Sequence, residues 1–143
     1  MSIKLSQSEM QYITTFQRIV DVYIKDCVVD DEENKITYVV SEGQAGMAIG
    51  KKGIHINKLK ELVAKDVEII EFSNNLEKFI KNCFLPIIIK SIRVDKKKDG
   101  SIAHVEVSSQ DKGRAIGRNG KNINKVKMIV QRQYENVDVA IKQ

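Results

Sequence analysis

Apolar residues recur at Leu5, Met10, Ile13, Phe16 and Ile19-Val20, a helical spacing that follows Ser6 and Ser8, either of which can serve as an N-cap. An opening amphipathic helix is predicted there. The β-branched run from Val22 to Val29 reads as a strand, Asp30 to Lys35 as a charged turn, and Ile36 to Val40 as the returning strand of a hairpin. After a glycine-containing segment, Ile56, Leu59, Leu62 and Val63 fall on one helical face, and Val67 to Phe72 reads as a strand. The same order then returns. Leu76, Phe79, Ile80 and Cys83 form a helical stripe after Asn74 or Asn75 that ends near Pro86. Ile87 to Val94 predicts a strand, Asp95 to Gly100 a turn, and Ile102 to Val107 a strand with Ala103, Val105 and Val107 on one face. Ile123, Val126, Ile129 and Val130 repeat the helical face, and Val137 to Ile141 is the closing strand.

The second half repeats the first in residues as well as in pattern. Gly46 to Lys60 and Gly113 to Lys127 align at a shift of 67 without a gap, and nine of the fifteen positions are identical. The identities include three glycines, an Ala-Ile pair and the run Ile-Asn-Lys-x-Lys, so backbone permissiveness and basic charge are both retained. A duplication divides the 143 residues into two units, expected at 1–72 and 73–143, each near the lower size limit for independent folding. Each is predicted as an α+β unit, with almost no linker around Ser73 to Asn75.

Charge breaks the symmetry. Residues 1–72 carry nine Lys and Arg against twelve Asp and Glu, net −3, whereas 73–143 carry fifteen against seven, net +8. A basic unit beside a mildly acidic one suits a polyanionic partner, because each bound cation releases the partner's counterions. No apolar stretch is long enough to span a bilayer, and Met1 to Glu9 has no apolar signal region, so a cytoplasmic location without membrane contact is expected. Cys27 and Cys83 are isolated, which predicts two reduced, buried thiols. His55 and His104 have no nucleophile or paired carboxylate at a useful spacing, and Asp30 to Glu33 reads as a solvated turn. No enzymatic activity, cofactor or metal is expected.

The glycines admit three phosphate-binding readings, and two fail. A P-loop needs four residues between its glycines, then Lys and Ser or Thr; Gly46 and Gly50 enclose three. A dinucleotide fingerprint needs a leading Gly-x-Gly that neither segment has. The third is Gly-x-x-Gly as a tight turn between helices, where bare backbone and a helix N-terminus meet the phosphates of single-stranded nucleic acid. Ile49-Gly50-Lys51-Lys52-Gly53 with Ile56, and Ile116-Gly117-Arg118-Asn119-Gly120 with Ile123, resemble the loop of the KH (K homology) RNA-binding domain. Only one helix and one strand follow Gly120, so the hairpin precedes the loop, as in the type II form. The resemblance therefore implies two tandem type II KH domains, each a three-stranded mixed sheet packed against helices.

Across nearly the whole chain the pair resembles the tandem KH region of the NusA-like transcription factor family in its short archaeal-like form. Asp26 to Asp31, Glu71-Phe72-Ser73 and Asp111-Lys112-Gly113 contribute to that likeness. It does not extend to the N-terminal polymerase-binding and S1 domains of the bacterial members. It implies single-stranded, nascent RNA as partner, RNA polymerase as a second partner, and a role in pausing, termination or antitermination. A monomer is expected. In the KH arrangement Gly50, Gly53, Gly117 and Gly120 set the backbone approach, Lys51, Lys52 and Arg118 supply charge for phosphates, and Asn119 either hydrogen-bonds a phosphate or simply tolerates an unusual backbone conformation. Lys58, Lys60, Lys121, Lys125 and Lys127 are expected as further phosphate contacts, and Ile49, Ile56, Ile116 and Ile123 as the apolar groove floor, with plain core packing the alternative for Ile56 and Ile123 and the two roles compatible. Two other readings keep the fold: an adaptor docking on polymerase or ribosome, and a ribosomal or RNA-processing KH protein.

Overall fold

The structure, a computed structural model, describes residues 4–142. The chain divides into two compact units that meet between Asn74 and Asn75.

In the first unit, helix α1 (Gln7–Ile19) starts at Ser6, whose hydroxyl accepts from the Glu9 amide while the Glu9 carboxylate accepts from the Ser6 amide. Leu5 thus precedes the helix. Strands β1 (Ile24–Asp30) and β2 (Lys35–Val40) form an antiparallel hairpin, interrupted by an irregularity between Ile24 and Asp26. Helix α2 (Ala45–Ile49), a 3₁₀ turn (Lys51–Gly53) and helix α3 (Ile54–Val63) then carry the chain back, and β3 (Asp66–Glu71) pairs parallel to β2. The sheet order is β1-β2-β3. Phe16, Cys27, Ile36, Tyr38, Val40, Ala48 and Leu59 are fully buried in its core. Tyr38 meets Phe16 edge-on at 4.8 Å and donates its hydroxyl to the Tyr12 carbonyl at 3.0 Å. Burial pushes the Tyr38 phenol pKa well up, so it remains a donor.

The second unit repeats the plan. Helix α4 (Leu76–Phe84) is capped by the Asn75 side chain, which accepts from the Lys78 amide. Strands β4 (Ile89–Lys97) and β5 (Gly100–Val107) form the hairpin, with its irregularity between Ile89 and Ser91, and β6 (Val137–Ile141) pairs parallel to β5. Between them lie α5 (Lys112–Ile116), a 3₁₀ turn (Arg118–Gly120) and α6 (Lys121–Gln133). The order is β4-β5-β6. Each unit is therefore a three-stranded mixed sheet with helices, as the sequence predicts. Cys27 and Cys83 are buried free thiols. No helix among the described residues is long and apolar enough to cross a membrane.

Two local expectations are corrected. Asp95, Lys96 and Lys97 are not turn residues: they pair with Ile102, Ser101 and Gly100, leaving Lys98 and Asp99 as the hairpin tip. Backbone pairing carries this strand past its last apolar residue, where hydrophobic alternation gives no signal. Leu62 was expected on the buried face of α3 but is 54% exposed, whereas its counterpart Ile129 is fully buried. Helix α3 buries only Leu59 completely, while the longer α6 buries Val126, Ile129 and Val130. The shorter helix offers its core a narrower stripe.

Candidate nucleic-acid interface

Each repeated segment builds the same turn. Gly50 has φ 80° and ψ 166°, and Gly117 has 78° and 168°. The next residue but one is left-handed in both: Lys52 at φ 56°, ψ 25° and Asn119 at φ 57°, ψ 29°. Asn accepts that conformation more readily than Lys does. Space as well as torsion requires the first glycine. A Cβ on Gly50 would come within 2.7 Å of His55 Nδ1, and one on Gly117 within 2.7 Å of the Asn122 backbone nitrogen. The second helix therefore starts against the first with no room for a side chain at the crossing.

A polar clasp closes each crossing. His55 Nδ1 donates to the Met47 carbonyl at 2.8 Å, and Asn122 Nδ2, at the equivalent position, donates to the Ala115 carbonyl at 3.0 Å. His55 is thus a structural tie between α2 and α3, a role its isolation in the sequence did not reveal. His104 lies on the second hairpin, where its Nε2 and Arg93 Nη2 approach Asp95 Oδ2 at 3.1 and 3.2 Å.

Helices α3 and α6 begin at Gly53 and Gly120, both left-handed, and neither has a side-chain cap. The Ile54 and Lys121 amides close the 3₁₀ turns onto the Lys51 and Arg118 carbonyls, and the first-turn amides that follow have no side-chain cap beside Lys51 and Lys52, or beside Arg118 and Asn119, all four exposed. The expected floor residues surround this turn. Ile49 is 38% exposed, Ile116 and Ile123 are half-buried, and Ile56 packs against the first core.

The outer lysines separate into groups. Lys58 is exposed, and Lys121 and Lys125 are half-buried and already engaged within the protein. Lys60 and Lys127 are held at 3.4 Å from Asp66 and 3.7 Å from Asp138. The two aspartates are equivalent by strand register, since Asp66 pairs with Lys35 and Asp138 with Ile102, and each accepts from the next residue's amide. These two lysines therefore tie helix to strand in both units. Arg114 is similarly tied to Asp111 at 2.8 Å, and hydrogen bonds from Arg114 and then Ser108 hold the Asp111 carboxyl below its usual pKa. Among the described residues no group of three or more His, Cys, Asp or Glu is arranged to hold a metal ion.

Two family models match these residues: the KH domain over residues 11–98 and the NusA-like second KH domain over 76–140. The chain belongs to the NusA-like KH-domain family. It is 33% identical over 130 residues to the probable transcription termination protein NusA of Methanocaldococcus jannaschii, covering 91% of this chain and 70% of that protein. The protein of the same name from Halobacterium salinarum is 32% identical over 141 residues, with 99% of both chains covered. Among solved structures, the crystal structure of APE1850 matches with a TM-score of 0.73 at 36% identity, covering 95% of this chain and all of that one. In this NusA-like chain both units share one strand order, β1-β2-β3 and β4-β5-β6, with the hairpin ahead of the glycine turn as in the type II form.

Proposed function

We propose that this NusA-like protein binds single-stranded RNA through both loops and acts as a transcription termination or antitermination factor, with nascent transcripts as its ligand and RNA polymerase as its second partner. One observation carries the reading. Two uncapped helix N-termini, each behind a glycine turn too tight for any side chain, are flanked by exposed loop side chains. Such a turn admits a sugar-phosphate backbone to within hydrogen-bonding distance of the first-turn amides, and the loop cations neutralise it. The names of the archaeal relatives support the process assigned to that binding. Binding rather than catalysis is the proposed activity.

Within each loop, Gly50 and Gly53, or Gly117 and Gly120, shape the turn. Lys51, Lys52 and Arg118 supply charge, and Asn119 supplies its left-handed backbone and an amide. Ile49, Ile56, Ile116 and Ile123 provide the aliphatic floor for bases. The test substitutes Lys51→Asp and Lys52→Asp together with Arg118→Asp and Asn119→Asp, leaving every glycine in place. Titration with single-stranded RNA is expected to show binding abolished and the circular dichroism spectrum unchanged. Undiminished binding by the fourfold variant refutes the reading.

A further inference from the structure

We propose that the outward face of α3, beside the first loop, is a nucleotide site that selects a base carrying an exocyclic amino group over uracil. This rests on the RNA-binding function proposed above and adds a base preference outside the loop-and-floor groove. Lys51, Lys52, Ile54, Asn57, Lys58 and Glu61 line one open groove of about 690 Å³. Ile54, Asn57, Lys58 and Glu61 are spaced i, i+3, i+4 and i+7, which places them on a single helical face. The core side of the same helix carries Ile56, Leu59 and Val63, so the groove lies on the opposite side.

Three properties fit a nucleotide. Lys51, Lys52 and Lys58 give three exposed ammonium groups for phosphate. Ile54 is 63% exposed, an aliphatic surface for a base face directly after the turn. Asn57 and Glu61 bring directional polar atoms. Among the described residues none of these five polar side chains is bonded elsewhere in the protein, in contrast to Lys60, Lys127 and Arg114. Glu61 decides the class of base. An ionised carboxylate only accepts hydrogen bonds, so it pairs with the amino group of cytosine or adenine and repels the O4 acceptor of uracil. For phosphate binding alone, a carboxylate among three lysines is unfavourable. The second unit lacks the combination: its equivalent positions are Lys121, Asn124, Lys125 and Met128, with a cation for the aliphatic platform and a thioether for the carboxylate.

The experiment titrates the full chain and its Glu61→Gln and Ile54→Lys variants with labelled oligocytidine and oligouridine RNA. The wild-type chain is expected to prefer oligocytidine. Glu61→Gln, whose amide both donates and accepts, is expected to reduce the cytidine-to-uridine affinity ratio by roughly five-fold or more, the lower end of what one specific base contact confers. Ile54→Lys is expected to steepen the salt dependence by about 0.7, one additional phosphate contact on a single strand, while flattening base preference. An unchanged ratio in a folded Glu61→Gln protein overturns the site and assigns that face to a protein partner instead. The two proposals fail separately. A wild-type chain that binds neither RNA defeats the function itself, whereas binding that depends on the loops but ignores Glu61 defeats only the site on α3.

Discussion

At the scale of single residues, the two loops solve one crossing with different chemistry. His55 and Asn122 occupy equivalent positions, and each donates one hydrogen bond to a carbonyl of the preceding helix. The two side chains differ in ring and charge but share the donor that the crossing needs. His55→Asn is therefore expected to keep stability within a few tenths of the wild type, while His55→Ala costs about 1 kcal/mol, the usual net value of one such bond. Denaturant unfolding of the two variants checks this. Equal losses would mean that the imidazole ring, packed behind Gly50, matters more than its bond. Lys52 and Asn119 show a similar divergence, with Asn in the left-handed position where it is tolerated and Lys where a second loop cation is kept.

At the scale of elements, one helix carries side chains with different duties only two positions apart. Lys60 is drawn to Asp66 at the start of β3, whereas Lys58 points into the groove beside Ile54 and Glu61. Lys58→Ala is accordingly expected to weaken RNA binding several-fold and to reduce its salt dependence by about 0.7, the slope of one single-strand phosphate contact. Lys60→Ala should change affinity less than about two-fold, because a surface ion pair worth ~0–1 kcal/mol already occupies the group. RNA titration at several salt concentrations separates them. In the sequence the two lysines looked alike, since both belong to the repeated Asn-Lys-x-Lys run. Their difference depends on Asp66 and Asp138, which stand six and eleven residues beyond Lys60 and Lys127 and so escape an ungapped repeat. What was legible is what local chemistry determines: a serine cap before α1, narrowed to Ser6 or Ser8, the alternation of Ala103, Val105 and Val107, and the glycines of both turns. What was not legible depends on pairing or approach across the fold. The ladder that holds Asp95 to Lys97 in β4, the His55 clasp and the exposure of Leu62 are of this kind.

At the scale of the whole molecule, counting loop cations and counting unit charge give opposite expectations. The first loop has Lys51 and Lys52 but belongs to residues of net −3; the second has Arg118 alone but belongs to residues of net +8. Salt dependence reports the number of phosphates neutralised along the docked strand, not the charge of the turn alone. The second loop has Lys112, Arg114, Lys121 and Lys125 as basic sequence neighbours of Arg118. Of these, Arg114, Lys121 and Lys125 are already engaged within the protein and contribute long-range field rather than free contacts, whereas the first loop adds the free Lys58 to its two lysines. Over a Debye length of about 8 Å at physiological salt, those neighbours act together with the turn. Lys51→Asp with Lys52→Asp, and Arg118→Asp with Asn119→Asp, each disable one loop. The second-loop variant is expected to lose the larger share of the wild-type slope of log affinity against log salt. Equal losses would remove the asymmetry, and a larger loss at the first loop would show that the two lysines of the turn outweigh the basic unit around Arg118.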